Sequence, residues 1–203
     1  MYWIRITKSA GTSLDSALDK NIKRITALKE NYNKIDEDSF TIIRNPYDKF
    51  NSAYKFLTNG KEDGSLRTKN LLNNVKSFSD FINYVINLRD EFEKIKNICV
   101  VTADQRTNKQ NMMYSKFWIV SHCETSYDCV NFFNALDTTK YFLLEDKNLS
   151  EKMNSFGLVT ANKLVNFNKS SNSYKLSDSD RLLLENKYPY EFEFYYKLKE
   201  KIL

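Results

Sequence analysis

Four glycines, two prolines and one histidine in 203 residues leave little of what marks several large classes of protein. The single histidine (His122) and three cysteines (Cys99, Cys123, Cys129) without a CxxC pair give neither a zinc-ligand pattern nor a disulfide framework, and they point to buried, reduced thiols. No apolar run approaches the ~20 residues that cross a bilayer, and residues 1–14 (MYWIRITKSAGTSL) lack the apolar stretch of a signal peptide. The chain is therefore expected to carry no membrane anchor and to reside in the cytosol or with a virion. Scarce glycine and proline beside abundant lysine and asparagine is the bias of AT-rich coding. Each glycine or proline that survives is expected to hold a position that needs it, Gly11 and Pro46 first.

What is present describes a globule. Hydrophobic residues make up 41% of the chain, charged residues 28% and aromatics 14%, which excludes a disordered or membrane-embedded chain. A chain of this length buries roughly 70% of its unfolded surface, enough for a core without disulfides, and no repeat or linker divides it, so one domain over 1–203 is expected. The net charge of +5 permits an anionic ligand. Lysines that are dispersed and alternate with acids suit a solvated face, so no nucleic acid is expected as a partner.

Apolar spacing alternates between the two regular periods. Trp3–Thr7 (WIRIT) predicts a strand, and Leu14, Leu18, Ile22, Ile25 and Leu28 predict an amphipathic helix after it. Phe40–Ile43 predicts a second strand; Asn45 then caps a helix with Pro46 at its first position and Phe50, Ala53, Tyr54 and Leu57 inward. A charged loop is expected at 59–69 and a helix at 77–89 burying Phe78, Phe81, Ile82, Val85 and Ile86. Strands are expected at 98–101, 117–120 and 141–144, and a helix at 127–136. Ser177 caps a helix through Leu184, and Pro189 restarts one that buries Tyr190, Phe194 and Leu198. Strands alternating with helices predict an α/β fold with a central, mainly parallel sheet flanked by helices.

Ligands of such sheets bind beyond the carboxyl ends of the strands, where two loops carry chemistry. Lys8-Ser9-Ala10-Gly11-Thr12-Ser13 places a lysine, a glycine and hydroxyls at a helix start, a set that converges on an anion or, in the plainer reading, caps a βα turn. It is not a Walker A loop, since GxxxxGK[ST] is absent. Arg44-Asn45-Pro46 ends the second strand, and Ser52 follows two helical turns on. The arginine fork can clamp a phosphate, although an isolated Arg-Asn-Pro also reads as a salt-bridged turn.

Taken together, strand, KSAGTS, helix, strand, RNPYDKFNSAY, helix resembles the carbohydrate sulfotransferases, whose loops read PKTAGTS and RNPYDRFVSAY. Thr7 replaces their proline and Ser9 their threonine. DQRTNKQ at 104–110 is similar to their D-x-H-x-x-x-Q, with Arg106 for the histidine. Asn168–Ser170 and then Tyr188, Glu191, Phe192 and Tyr195 resemble their ending, with Glu191 for an aspartate, while the stretch between the two loops is short for the family. The resemblance implies the P-loop-like three-layer sulfotransferase fold and transfer of a sulfuryl group from 3′-phosphoadenosine 5′-phosphosulfate to an acceptor hydroxyl, on a glycan by family analogy. It implies Lys8, Ser9, Gly11, Thr12 and Ser13 at the 5′-phosphosulfate, Arg44 and Ser52 at the 3′-phosphate, Lys8 neutralising the leaving phosphate, and no metal.

A base for the acceptor hydroxyl is less legible. His122, placed at the carboxyl end of the expected 117–120 strand, has the near-neutral pKa the task needs. Glu124, Glu37 and Asp15 are alternatives, Glu124 also reading as a helix-start charge. Two rival readings stand beside the enzyme: a nucleotide-binding module without turnover, and a P-loop-type kinase, against which the missing GK[ST] and Mg²⁺-binding aspartate argue.

Overall fold

The computed structural model of the chain describes residues 1–9, 14–15, 17–26, 35, 38–58, 68, 70–89, 91, 108–159 and 175–202. These group into two compact units, one of Met1–Lys49, Thr125–Ser173 and Tyr188–Leu203, the other of Phe50–Glu124 and Tyr174–Lys187. The expected strand at 98–101, most of the loop at 59–69, Arg106 and Asn168–Ser170 lie outside the described residues.

The first unit holds an all-parallel sheet of β1 (Tyr2–Ile4), β2 (Lys23–Ile25), β3 (Ser39–Ile43) and β4 (Thr139–Leu143) in the order β2-β1-β3-β4. Side chains alternate across it. Ile4, Ile25, Ile43 and Leu143 pack with Cys129, Val130, Tyr195 and Leu198 of the helices that follow, whereas Trp3, Phe40, Ile42 and Phe142 pack with Leu14, Leu149 and Met153 on the opposite side. A sheet covered on both faces explains why β3 is buried at all five positions and reads as a continuous apolar run. Its two internal hydroxyls are satisfied: Ser39 meets Thr139 at 2.8 Å, and Thr41 donates to the Ile4 carbonyl at 2.7 Å.

Helix α1 (Pro46–Thr58) starts as expected, with Asn45 Oδ1 accepting the Tyr47 amide at 3.0 Å and Pro46 at the first position. Helices α2 (Phe78–Arg89), α3 (Asn108–His122) and α6 (Asp178–Lys187), with the later turns of α1, make up the second unit. The first unit adds α4 (Ser126–Phe132), α5 (Leu149–Ser155) and α7 (Pro189–Ile202). Ser177 caps α6, accepting the Asp180 amide at 3.1 Å while Asp180 accepts the Ser177 amide at 3.2 Å. Gly157 (φ 66°) ends α5 in a left-handed turn, its amide bonding Asn154 O at 2.8 Å and that of Leu158 bonding Met153 O at 3.0 Å. Pro46, Gly157 and Pro189 thus each have a positional reason.

Several expectations are corrected. Residues 117–120 are not a strand but part of α3, whose Phe117, Ile119 and Val120 are buried; a short apolar run does not separate a strand from a buried helix turn. The helix expected through 14–28 gives way. Leu14 and Asp15 are helical, but Asp19 then accepts the Asn21 amide at 2.8 Å in a turn, and 23–25 is β2. Helix α4 stops at Phe132 with Asn134 at φ 51°, short of 136. Leu88 rather than Ile86 completes the buried face of α2. Phe192 and Tyr195 rather than Tyr190 and Phe194 join Leu198 on α7, leaving Tyr190 69% exposed. No helix among the described residues is long and apolar enough to cross a membrane.

Candidate anion site at the carboxyl ends of β1, β3 and β4

In the strand order β2-β1-β3-β4 the chain leaves β1 toward β2 and returns to lie on its other side as β3, so the direction of winding reverses between β1 and β3. A crevice for ligands is expected outside the carboxyl ends of those two strands. That is where Lys8 and Ser9, after β1, and Arg44, after β3, are placed. Arg44 Nη1 donates to the Lys8 carbonyl at 3.1 Å, tying the two loops together with one of the five donors of the guanidinium. Burial is the larger influence on Arg44 and lowers its pKa from the usual arginine value, with Asp48 and then Glu145 opposing it.

Lys8 has φ 60°, a left-handed conformation uncommon outside glycine. The turn that follows buries Ser9 to 2% exposure, and among the described residues its hydroxyl has no hydrogen-bond partner. A buried hydroxyl with no described partner, adjoining Lys8 whose carbonyl Arg44 bonds, fits an anion, whose oxygens would accept that proton. Gly11, Thr12 and Ser13 lie outside the described residues, as does Glu37. Ser52 is half-buried on α1, in the part that belongs to the second unit.

The other expected residues lie elsewhere. His122 ends α3, its Nδ1 2.8 Å from the Trp118 carbonyl and its ring stacked on Phe56 (centroids 4.9 Å, planes 20° apart) and tilted against Trp118 at 4.6 Å. Since a carbonyl only accepts, Nδ1 carries the proton there. The strand end that recommended His122 does not exist. Glu124 is 8% exposed and directly precedes Thr125, which caps α4 by accepting the Asp128 amide at 3.0 Å. Asp15 is engaged by Arg24 at 2.8 Å and Arg5 at 3.6 Å.

Two features went unread in the sequence. Lys49 and Glu191, each 1% exposed, pair at 3.4 Å; Glu191 also accepts the Ser126 and Tyr127 amides at 2.7 and 3.0 Å, and Tyr47 packs on Phe192 with ring centroids 4.8 Å apart. RNPYDKF and the YPYEF ending, both quoted for the resemblance, are therefore in direct contact. A charged pair one turn into each helix was the available signal. The second feature is Glu145, two residues past β4, which accepts the main-chain amide of Asn45. Compared with protein-family models, with curated proteins and with solved structures, the chain has no match.

Proposed function

We propose that this chain is a sulfotransferase of the P-loop-like three-layer fold, moving a sulfuryl group from 3′-phosphoadenosine 5′-phosphosulfate to an acceptor hydroxyl, on a glycan by analogy. The observation that carries the reading is the junction of the two motifs of the resemblance: Lys8-Ser9 and Arg44-Asn45-Pro46 follow neighbouring strands at the reversal of winding, and Arg44 reaches the Lys8 carbonyl. The co-substrate, when bound, supplies the activated sulfuryl group. Arg44 holds a phosphate through its planar fork, the Ser9 hydroxyl donates within the loop, and Lys8 carries the positive charge that neutralises the leaving phosphate as the bond to sulfur breaks. No step requires a metal.

A nucleotide-binding module without turnover is the second reading. It is favoured by the position of His122, which ends α3 with its ring stacked on Phe56 of α1 and its Nδ1 bonded to the Trp118 carbonyl rather than standing at a strand end. Thermal shift compares both with the kinase alternative. Adenosine 3′,5′-bisphosphate is expected to raise the melting temperature in the presence of EDTA, and ATP with Mg²⁺ to raise it less. The opposite ranking removes the sulfotransferase reading. Stabilisation by the bisphosphate without sulfate transfer to a panel of glycans, phenols and peptides selects the module.

A further inference from the structure

Glu145 stands at the same edge of the sheet as Arg44 and belongs to none of the motifs that led to the site. It leaves β4, the strand hydrogen-bonded to β3 along its whole length, so its carboxylate is delivered beside the turn that carries Arg44. There it accepts the Asn45 amide, while Asn45 in turn caps α1. Among the described residues, the charged and titratable groups around it are Arg44 from the β3–α1 turn, Asp48 from the first turn of α1 and the Tyr195 phenol from α7. The adjacent Asp146 is turned to Lys152 at 2.6 Å.

We infer that Glu145 is a positioning residue of the anion site, holding the 44–46 turn through the Asn45 amide so that the Arg44 guanidinium faces the phosphate. The inference rests on the reading of Arg44 as a phosphate ligand. Its electrostatics are testable. Partial desolvation raises the Glu145 pKa above the usual carboxylate value; hydrogen bonds from the Asn45 and Glu145 amides oppose the rise, the Asp48 charge adds to it and Arg44 opposes it. An arriving phosphate adds negative charge near this carboxylate, so binding draws a proton onto it. Affinity should therefore increase as pH falls through the Glu145 titration, because the neutral acid keeps a carbonyl oxygen for the Asn45 amide and sheds the like charge.

The test combines calorimetric titration of adenosine 3′,5′-bisphosphate and of inorganic pyrophosphate with a pH series of amide spectra. In the unaltered protein the Asn45 amide resonance should move with a midpoint above the ordinary carboxylate range. Glu145→Ala should weaken both ligands by roughly tenfold or more, the worth of a hydrogen bond to a charged group. Glu145→Gln, which keeps an acceptor oxygen, should restore binding and abolish the amide titration, and the affinity ratio of this variant to the unaltered protein should vary with pH. A static Asn45 amide in the unaltered protein, or full affinity in Glu145→Ala while Arg44→Ala loses it, overturns the inference and leaves the nucleotide site standing. Arg44-dependent pyrophosphate binding that responds to Glu145, with no preference for the bisphosphate, removes the nucleotide reading and retains the positioning role.

Discussion

On the proposed sulfotransferase reading, Arg44 and Lys8 divide the work that sulfuryl transfer asks of cations, and the division can be measured. Arg44 is half-buried and joined to the Lys8 carbonyl, so it is present and oriented before any ligand arrives. Arg44→Ala should then weaken the 3′,5′-bisphosphate by about 2 to 5 kcal/mol, the range for truncating one partner of a buried, hydrogen-bonded charge pair. Isothermal titration reads this directly, and unchanged affinity would remove Arg44 from the site. Lys8 is assigned to charge that develops only as the leaving group departs, so Lys8→Ala should depress turnover far more than nucleotide affinity. An equal loss of both makes Lys8 an ordinary phosphate contact. These residues were legible because each sits within a few positions of a strand end in its own segment. Glu145 was not: its significance lies in an amide 100 positions earlier in the chain, and in LLEDK it reads as any turn carboxylate. His122 was misplaced for the opposite reason, since its role was borrowed from a strand that is a helix.

Helices and strands in this chain are recognised best where punctuation and period agree. Asn45-Pro46 and Ser177 start α1 and α6 where they should, because capping acts through local hydrogen bonds that the residue types themselves specify. The segment 14–28 has helical spacing without helical continuity, for an aspartate turn at 19–21 interrupts it and the remaining apolar residues serve different neighbours, Leu14 on one face of the sheet and Ile25 on the other. Period alone cannot report that change of partner. Buried charge is equally hidden. Lys49 joins the first turn of α1 to the first turn of α7 through Glu191, and Glu191 also closes the start of α4, so three helix beginnings share one network. Lys49→Met should cost about 3 to 5 kcal/mol, the penalty for leaving the partner of a buried pair uncompensated. The exposed Lys197–Glu193 pair, one helical turn apart at 2.7 Å, serves as the control, and breaking it should shift stability far less, since solvent screens it. Urea midpoints at constant slope compare the two. If Lys49→Met costs no more than Lys197→Met, the network has no part in stability, and adding Glu191→Gln to Lys49→Met should otherwise recover part of the loss.

The sheet as a whole determines which parts of the first unit can open and which must stay closed for a ligand to bind. β3 pairs with β1 on one side and β4 on the other and is buried at every position, whereas β2 pairs with β1 alone among the described strands and leaves Lys23 and Arg24 exposed. Amides of β3 are therefore expected to exchange with solvent only on global unfolding, and those of β2 through smaller openings. Past Arg5, whose amide donates to Ile25 O of β2 at 2.9 Å, the loops after β1 and β3 owe their placement to the sheet but few of their hydrogen bonds: Ser9 N reaches Ile6 O at a long 3.4 Å, and the Lys8 carbonyl is bonded by a side chain rather than by a strand. They should exchange early in the free protein. A ligand seated at the reversal between β1 and β3 would bond these loops from outside, so saturating adenosine 3′,5′-bisphosphate should slow exchange at 5–9 and 44–47. Amides of α6, in the other unit, should slow only insofar as their exchange needs global unfolding. Hydrogen exchange read by mass spectrometry distinguishes this from general tightening, since linkage to global stability raises protection only where exchange already requires complete unfolding. Protection gained at 5–9 and 44–47, beyond what Arg44→Ala shows under the same ligand, places the nucleotide at the reversal; protection confined to any other segment puts it elsewhere.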